Sequence, residues 1–494
     1  METQGKGGNI MERWGSRFGL IVSAIGMAVG TGNIWRFPRI SAANGGGSFV
    51  LVYIIAFILW AIPLLMAEAV WGKATRRGVI GSFKEFLGEK YTWMGGLVGW
   101  ISYAIACYYA VVMGYCVRYF VYALNGVIRP GVNTESLWNN FVNSSSQMMT
   151  FHIISMIIAT IIILAGVNRG LEFANKIMIP SLFVMLVILM VRAVTLPGAS
   201  KGLEFLFTPH MDRLLMGKTW LEAFTQAAWS TGAGWALLLT YYVYARDDED
   251  IALNCTLTCF ADTAAALLAA LAIIPTIFAL HPDPMKAVGS GNTGLAFIHL
   301  TNLFTQMTGG TVVAIIFFLA LIFAALSSLL SMLELATRVL IDAGWTRTKA
   351  ALAVGVVTTL LGLPSSYKAY ILENQDWVWG VGLLLSGMFF WYGAVKKGVN
   401  EIYEKYIRPV SDIDAPWLFK LIYLFPVWFF IIVGWWIYQA ITWYPGEWYK
   451  VFPVSKYTYT VGTMLLQWAI AFIIIYALNN KLASWVKPLG NPKK

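Results

Sequence analysis

Long apolar runs, each close to the roughly 20 residues that a helix needs to cross a bilayer core, dominate the chain. They fall near 17–43, 48–72, 92–124, 150–167, 175–194, 219–245, 251–280, 311–343, 348–363, 375–397, 416–441 and 457–480, with the run at 348–363 the shortest. The pattern predicts an all-α integral membrane protein of about twelve transmembrane helices, with no soluble domain between them. The longest connections, 125–149, 195–218 and 281–310, alternate onto one side of the membrane. The last holds Gly289, Ser290, Gly291 and Asn292, then the apolar stretch Leu295-Ala296-Phe297-Ile298. It is expected to fold into short helices that dip back toward the protein as a lid.

Two of the runs are interrupted. The first reads Gly26-Met27-Ala28-Val29-Gly30-Thr31-Gly32-Asn33, and the sixth reads Ser230-Thr231-Gly232-Ala233-Gly234 between Trp229 and Trp235. Each glycine lowers helix stability by about 1 kcal/mol, so both are places for a helix to unwind. Taken alone, the Gly26/Gly30 spacing also suits close packing of two helices. Breaks in spans one and six together describe a five-plus-five inverted repeat with a midplane site between the halves. The expected organisation is a single transporter domain over 1–494. It comprises a first repeat at 17–194, a second at 219–397 and two further helices at 416–480.

Composition removes the alternatives. Hydrophobic residues make up 58% of the 494 and charged residues only 12%, against roughly 25% charged in a soluble domain. A soluble enzyme, a disordered tail protein and a disulfide scaffold are excluded. The net charge of +10 comes from Lys and Arg in short loops, where they set topology and offer no nucleic acid a basic face. About two thirds of them lie on one side if the N-terminus is cytoplasmic. Lys73/Arg76/Arg77, Lys396/Lys397 and Lys481/Lys487/Lys493/Lys494 all fall there, which makes both termini cytoplasmic. No cleavage site ends the first apolar run, so no removed signal peptide is expected. Cys107, Cys116, Cys255 and Cys259 lie inside apolar runs without ligand spacing, and His152, His210, His281 and His299 sit in or beside the outer connections. Neither set forms the metal cluster or nucleophile–base pair that a membrane enzyme needs, and no continuous polar stripe marks a channel. A transporter, not an enzyme, is the reading.

Several motifs carry a resemblance. Trp14-Gly15-Ser16-Arg17, Gly30-Thr31-Gly32-Asn33-Ile34-Trp35-Arg36-Phe37-Pro38 and Asn44-Gly45-Gly46-Gly47-Ser48-Phe49 resemble the neurotransmitter:sodium symporter family. So do Pro63-Leu64 with Glu68 and Gly72, Tyr108-Tyr109, Gly170-Leu171-Glu172, Gly294-Leu295-Ala296-Phe297-Ile298 and Ser327-Ser328. The resemblance runs from about residue 12 to about 480. It implies uptake of a small amino-acid-like solute driven by sodium. It also implies one ion on the Ala28 carbonyl, the Asn33 amide oxygen, Ser230 and Asp262, and a second on the Gly26, Val29 and Ala324 carbonyls with Ser327 and Ser328. All are the oxygen donors that a hard cation takes. Asp262 departs from the family. Animal relatives carry a neutral Asn there and borrow a chloride, and the bacterial leucine transporter has a Glu one turn on, where this chain has Ala266. Asp262 is therefore expected to ligate sodium and to replace the chloride. The absence of cysteines in 125–149, where animal relatives carry a disulfide, points to a prokaryotic inner membrane.

The resemblance also outlines the pocket. A substrate carboxylate is expected on the amides around Thr31 and Gly32 and on the Tyr109 hydroxyl. The remaining wall is Ala28, Gly30, Ile105, Trp229, Ser230, Gly232, Trp235, Ser328 and Met332. Amine transporters place an Asp at Gly30, so the substrate should carry its own carboxylate. Trp229 as aromatic lid and Trp235 as floor narrow the pocket, and Trp235 with Gly232 resembles glycine transporters. Glycine, sarcosine or alanine is the expected solute, with a betaine second through cation–π attraction. A non-transporting receptor or channel-like relative is the remaining alternative. Arg36 and Asp376 are expected to pair as the outer gate. Asp342 matches the inner acidic gate, whose usual Arg partner is Met11 here, leaving Arg13 or Lys6 to substitute. Glu68 and Glu334 are expected to be hydrogen-bonding hubs. Apart from the lipid bilayer and the solute, no obligate partner is expected.

Overall fold

The computed structural model describes residues 12–488; Lys6, Met11, Lys493 and Lys494 lie outside the described residues. Every regular element among them is helical. The first apolar run forms α1 (Arg17–Ala28), a π turn (Gly32–Arg36) and α2 (Phe37–Ala43), bent by 54° at the break. The next four form α3 (Gly47–Thr75), α4 (Thr92–Leu124), α5 (Ser145–Leu164) and α6 (Phe173–Val194). The sixth is split into α7 (Gly217–Ser230) and α8 (Leu237–Val243). Then follow α9 (Ala252–Leu280), α10 (Gly310–Asp342), α11 (Arg347–Tyr367), α12 (Ala369–Lys397), α13 (Phe425–Trp443) and α14 (Val461–Ala477).

Nine of the described helices are each long and apolar enough to cross a membrane, and two bent pairs raise that to eleven. The α7–α8 pair is a further interrupted run, its halves too short to qualify singly. The shortest run extends into a 21-residue helix, because Arg347 and the Thr346 cap start it earlier and Pro364 is accommodated inside it. The 281–310 connection does fold into short helices, Pro284–Gly289 and Thr301–Gln306 about a π turn at Gly294–Leu300. Phe297 at its centre stacks on Trp138 at 4.9 Å and lies 4.7 Å from Tyr119, which anchors the loop to α4 and to the helix at Thr134–Val142.

Packing brings the two breaks together. α1 lies against α6, α9 and α10; α7 and α8 lie along α3; and α10 lies along α4. Glycine makes the closest approaches: a Cβ on Gly72 would stand 2.0 Å from the Leu239 carbonyl, and one on Gly19 would stand 2.1 Å from Glu172 Oε1. Glu172 joins the start of α1 to the start of α6. Its carboxylate accepts from the Gly15 N–H at 2.6 Å and the Ser16 hydroxyl at 2.8 Å, and it pairs with Lys176 at 2.6 Å. Ser16 meanwhile caps α1 by accepting from the Gly19 N–H at 2.9 Å.

Candidate functional site

At the first break the chain leaves the helix after Ala28, with Val29 extended at φ −71° and ψ 103°. Carbonyls freed there have no helical donor and must face something else. Ser327 on α10 points its hydroxyl at the Val29 oxygen at 3.5 Å and at the Ala324 oxygen at 3.1 Å. Ser328 stands 3.4 Å from the oxygens of both Met27 and Val29. The Val29 and Ala324 oxygens and the two hydroxyls, with the Gly26 carbonyl on the same turn, are the set expected to hold the second sodium; the Met27 oxygen is not among them.

The second break needs left-handed backbone. Gly232 and Gly234 have φ of +70° and +91°, and Ala236 follows at +62° despite its Cβ. Glu68 on α3 holds this turn by accepting the Gly234 N–H at 2.6 Å and the Leu239 N–H at 3.3 Å. A carboxylate on freed amides is the favourable arrangement at the start of a helix such as α8.

Asp262 on α9 lies fully buried between the breaks. It accepts from Asn33 Nδ2 at 2.6 Å, from the Ser230 hydroxyl at 3.0 Å and from the Tyr53 hydroxyl at 3.1 Å. No Lys or Arg among the described residues pairs with it. Asn33 Oδ1 accepts the Gly30 N–H at 2.9 Å and its NH2 group faces the carboxylate. In this arrangement the carboxylate draws the amide's donor end toward itself; a cation between them would reverse that preference.

Asn33 and Ser230 carry these contacts to a cavity of about 220 Å³, which they border while Asp262 and Tyr53 stand behind them. Ala28, Gly30, Thr31, Gly32, Tyr109, Trp229, Ser230, Gly232, Trp235, Ser328 and Met332 all border it. Ile105 does not: it sits one turn along α4 from Tyr109, fully buried in the core. The Tyr109 hydroxyl lies 3.2 Å from both the Thr31 N–H and the Thr31 hydroxyl. A Cβ on Gly30 would stand 3.1 Å from both Tyr109 and Ser328 hydroxyls, whereas one on Gly32 would meet nothing within 4 Å. Trp229 and Trp235 meet edge to face at 6.0 Å, and Trp229 is seated over Gly380 of α12, where any Cβ would collide with it.

Sequence reasoning missed several parts of this site, Val112, Tyr115 and Leu237 of the cavity wall among them. Tyr53 has no motif signal. Gln226 lies one turn before Ser230 on α7, a spacing that would have found it. Asn292 and Thr293 bring the 281–310 loop to the cavity mouth, with Arg39 Nε donating to Asn292 Oδ1 at 2.6 Å. Leu372 completes the mouth.

The expected gate residues fall at opposite ends. Arg36 and Asp376 both border the cavity, yet Arg36 bonds to Gln226 and lies 3.8 Å from Glu222, with no ion pair to Asp376. At the other end Asp342 pairs with Arg338 at 2.7 Å and Arg77 at 3.9 Å and accepts the Gly78 N–H at 2.6 Å. Arg13 is not brought to it and lies 4.0 Å from Asp247, because Asp342 already has its donors. Instead Arg347 joins Glu12 to Glu334, at 2.6 Å from the latter, and the Trp14 indole donates to the Tyr241 carbonyl at 2.8 Å.

A helical membrane protein with two helices unwound around one cavity has the architecture of a secondary transporter. The chain belongs to the sodium:neurotransmitter symporter family, which it matches over residues 11–146 and 139–484. It is similar to a sodium-dependent transporter of Methanocaldococcus jannaschii, 32% identical over 364 residues and covering 69% of this chain and 72% of the relative. It is also similar to a sodium- and chloride-dependent glycine transporter of Xenopus laevis, 24% identical over 537 residues and covering 94% and 83%. Among solved structures it resembles MhsT in complex with L-phenylalanine, with a TM-score of 0.76, 31% identity, and 85% of this chain and 98% of that chain covered. The family is one of transporters, and sodium dependence goes with it.

Proposed function

We propose that this symporter imports a small zwitterionic amino acid, with glycine, sarcosine or alanine preferred, together with two sodium ions and without chloride. The observation that carries the reading is Asp262, a buried carboxylate held only by neutral donors at the meeting point of the two breaks. Its charge is left for a cation, which is the common role of an intramembrane carboxylate. Ala28, Asn33, Ser230 and Asp262 then form one sodium site. Gly26, Val29, Ala324, Ser327 and Ser328 form the other. Oxygens around a cation at about 2.4 Å stand roughly 3.4 Å apart, and the 3.1–3.5 Å contacts of Ser327 and Ser328 fit that spacing.

The substrate carboxylate is received by the Thr31 and Gly32 amides and the Tyr109 hydroxyl, which border the open part of the cavity. Its side chain points toward Trp229 and Trp235. Arg36 and Asp376 border the same cavity, as do the two indoles and Met332. A betaine is the second reading, favoured by those indole faces. MhsT is described with phenylalanine, and the paired tryptophans are the reason to expect a smaller solute here.

Transport proceeds by alternating access between an outer gate, Arg36 with Asp376 above the Trp229 lid, and an inner closure around Trp14. The inverted repeats at 17–194 and 219–397 move against each other, while 416–480 stands outside them. Both termini face the cytoplasm, as the distribution of Lys and Arg favours, and the absence of cysteines in 125–149 points to a prokaryotic inner membrane. The test is equilibrium binding of labelled glycine to the purified protein in sodium and in potassium, with unlabelled sarcosine, alanine, betaine and phenylalanine as competitors. Sodium-dependent binding displaced by the small solutes is expected. Displacement by phenylalanine alone would overturn the substrate reading.

A further inference from the structure

The start of α4, the end of α12 and the end of α14 meet at the end of the molecule that carries Trp14, where the helix Val79–Leu87 runs from the Gly78–Asp342 contact. Asn479, just past α14, joins it to the start of α4. Its Oδ1 accepts the Trp93 N–H at 2.9 Å and its Nδ2 donates to the Glu89 carbonyl at 3.2 Å. On the other side Tyr392 of α12 lies 5.8 Å from Tyr91, ring to ring, and their hydroxyls are 3.2 Å apart. Ends of apolar spans stand at the level of the lipid headgroups, where tyrosine and tryptophan rings gather.

Two ammonium groups crowd this point without a counter-charge. Lys396 Nζ stands 3.6 Å from the centre of the Tyr91 ring and Lys90 Nζ stands 5.0 Å from it. Both lysines are exposed, and neither forms an ion pair with a carboxylate among the described residues; the adjacent Glu89 is taken by Lys84 at 3.3 Å. A ring holds an exposed ammonium by about 0.5–1 kcal/mol, and sharing it leaves both positive charges uncancelled. Of the two phenol hydroxyls, one donates to the other, so the second keeps a hydrogen to offer. Two ammonium groups and one O–H are a donor set that phosphate oxygens take.

An apolar surface continues from the same point. Trp93 lies 5.4 Å from Phe472 and 5.7 Å from Tyr476, rings that are 41% and 57% exposed on α14. We infer that Lys90, Lys396 and the Tyr91–Tyr392 hydroxyl pair bind the phosphate of an anionic phospholipid, whose acyl chain lies along Trp93, Phe472 and Tyr476. A soluble phosphate would use the charged half alone. A phosphatidylcholine carries its own ammonium, which leaves no net charge for the lysines to attract. The site stands apart from the sodium and solute sites and rests on no assignment of either. Its occupancy fastens the end of α12 to the start of α4 and the end of α14.

The test is equilibrium binding of labelled phosphatidylglycerol to the purified protein in detergent, with phosphatidylcholine and inorganic phosphate as competitors. Lys90→Gln with Lys396→Gln is compared with Lys405→Gln with Lys420→Gln, which removes the same charge from exposed lysines between α12 and α13. A lysine near a membrane surface is worth about 1 kcal/mol toward an anionic lipid, so the first pair is expected to weaken binding about tenfold or more and the second by less than about twofold. Lys90→Arg with Lys396→Arg keeps the charge and is expected to keep the binding. Both competitors should displace the label only at roughly tenfold or greater excess. Equal loss in the two glutamine pairs would show attraction to surface charge in general and overturn the inference. So would loss in the arginine pair, or displacement by phosphatidylcholine or inorganic phosphate at equal concentration.

Discussion

Asn33 and Asp262 lie 229 positions apart in the chain and meet at 2.6 Å, the amide NH2 donating to a carboxylate that also accepts Ser230 and Tyr53. The pair fastens the first helix break to α9, and Ser230 fastens the second break to the same carboxylate. One side chain thus senses both interruptions. In the proposed function it also supplies the negative charge that balances a bound cation.

Asp262→Asn removes that charge and keeps the shape. Losing one partner of a buried charged contact costs about 3–5 kcal/mol. Sodium-driven uptake in chloride-free medium is expected to fall at least about tenfold, well within that cost. Added chloride should restore part of it. Measuring uptake with chloride replaced by gluconate checks this, and full chloride-free uptake by the variant would remove Asp262 from the role.

Trp235 and Trp229 set solute size. Trp235 is nearly fully buried, and Ser102 donates to its carbonyl at 2.6 Å, so its backbone stays fixed when the side chain shrinks. Pocket contacts of one methylene are worth about 1–3 kcal/mol, or roughly 10–200-fold. Trp235→Leu is expected to weaken glycine binding about tenfold and to admit leucine as a competitor. A competition series with glycine, alanine, valine and leucine reads the change. An unaltered order of preference would place the size limit elsewhere.

The Trp14 end is held by Arg347, which joins Glu12 to Glu334, while Glu334 also accepts the Tyr244 hydroxyl at 2.5 Å. Glu334 is fully buried, so Arg347→Ala leaves an uncompensated charge there, at a cost of about 3–5 kcal/mol. Backbone hydrogen exchange over residues 14–28 is expected to quicken by at least about tenfold, with Arg347→Lys in between. Unchanged exchange over that segment would show that the end is held by packing around Trp14 alone.

Much of this was legible because its causes are local. Apolar runs marked the helices. Glycines marked both breaks, since a left-handed φ at Gly232 and Gly234 tolerates few other residues. The cavity wall followed from the family motifs, except at Ile105, which shares the face of Tyr109 but lies one turn away along α4, buried in the core beyond the cavity. What stayed hidden depends on pairing across the chain. Arg347 meets Glu12 across 335 positions and Tyr53 meets Asp262 across 209, and no local spacing encodes either. Asp342 is met by Arg338, one turn away on the same helix, and this local i,i+4 pairing leaves Arg13 without a role there.

The most direct test of the central claim is accumulation of labelled glycine in proteoliposomes holding the purified protein, under an inward sodium gradient without chloride, against a potassium control. Concentrative uptake that collapses when the sodium gradient is dissipated is the predicted result. Glycine entry that ignores the gradient, or no sodium-driven entry of glycine, sarcosine or alanine, would contradict it.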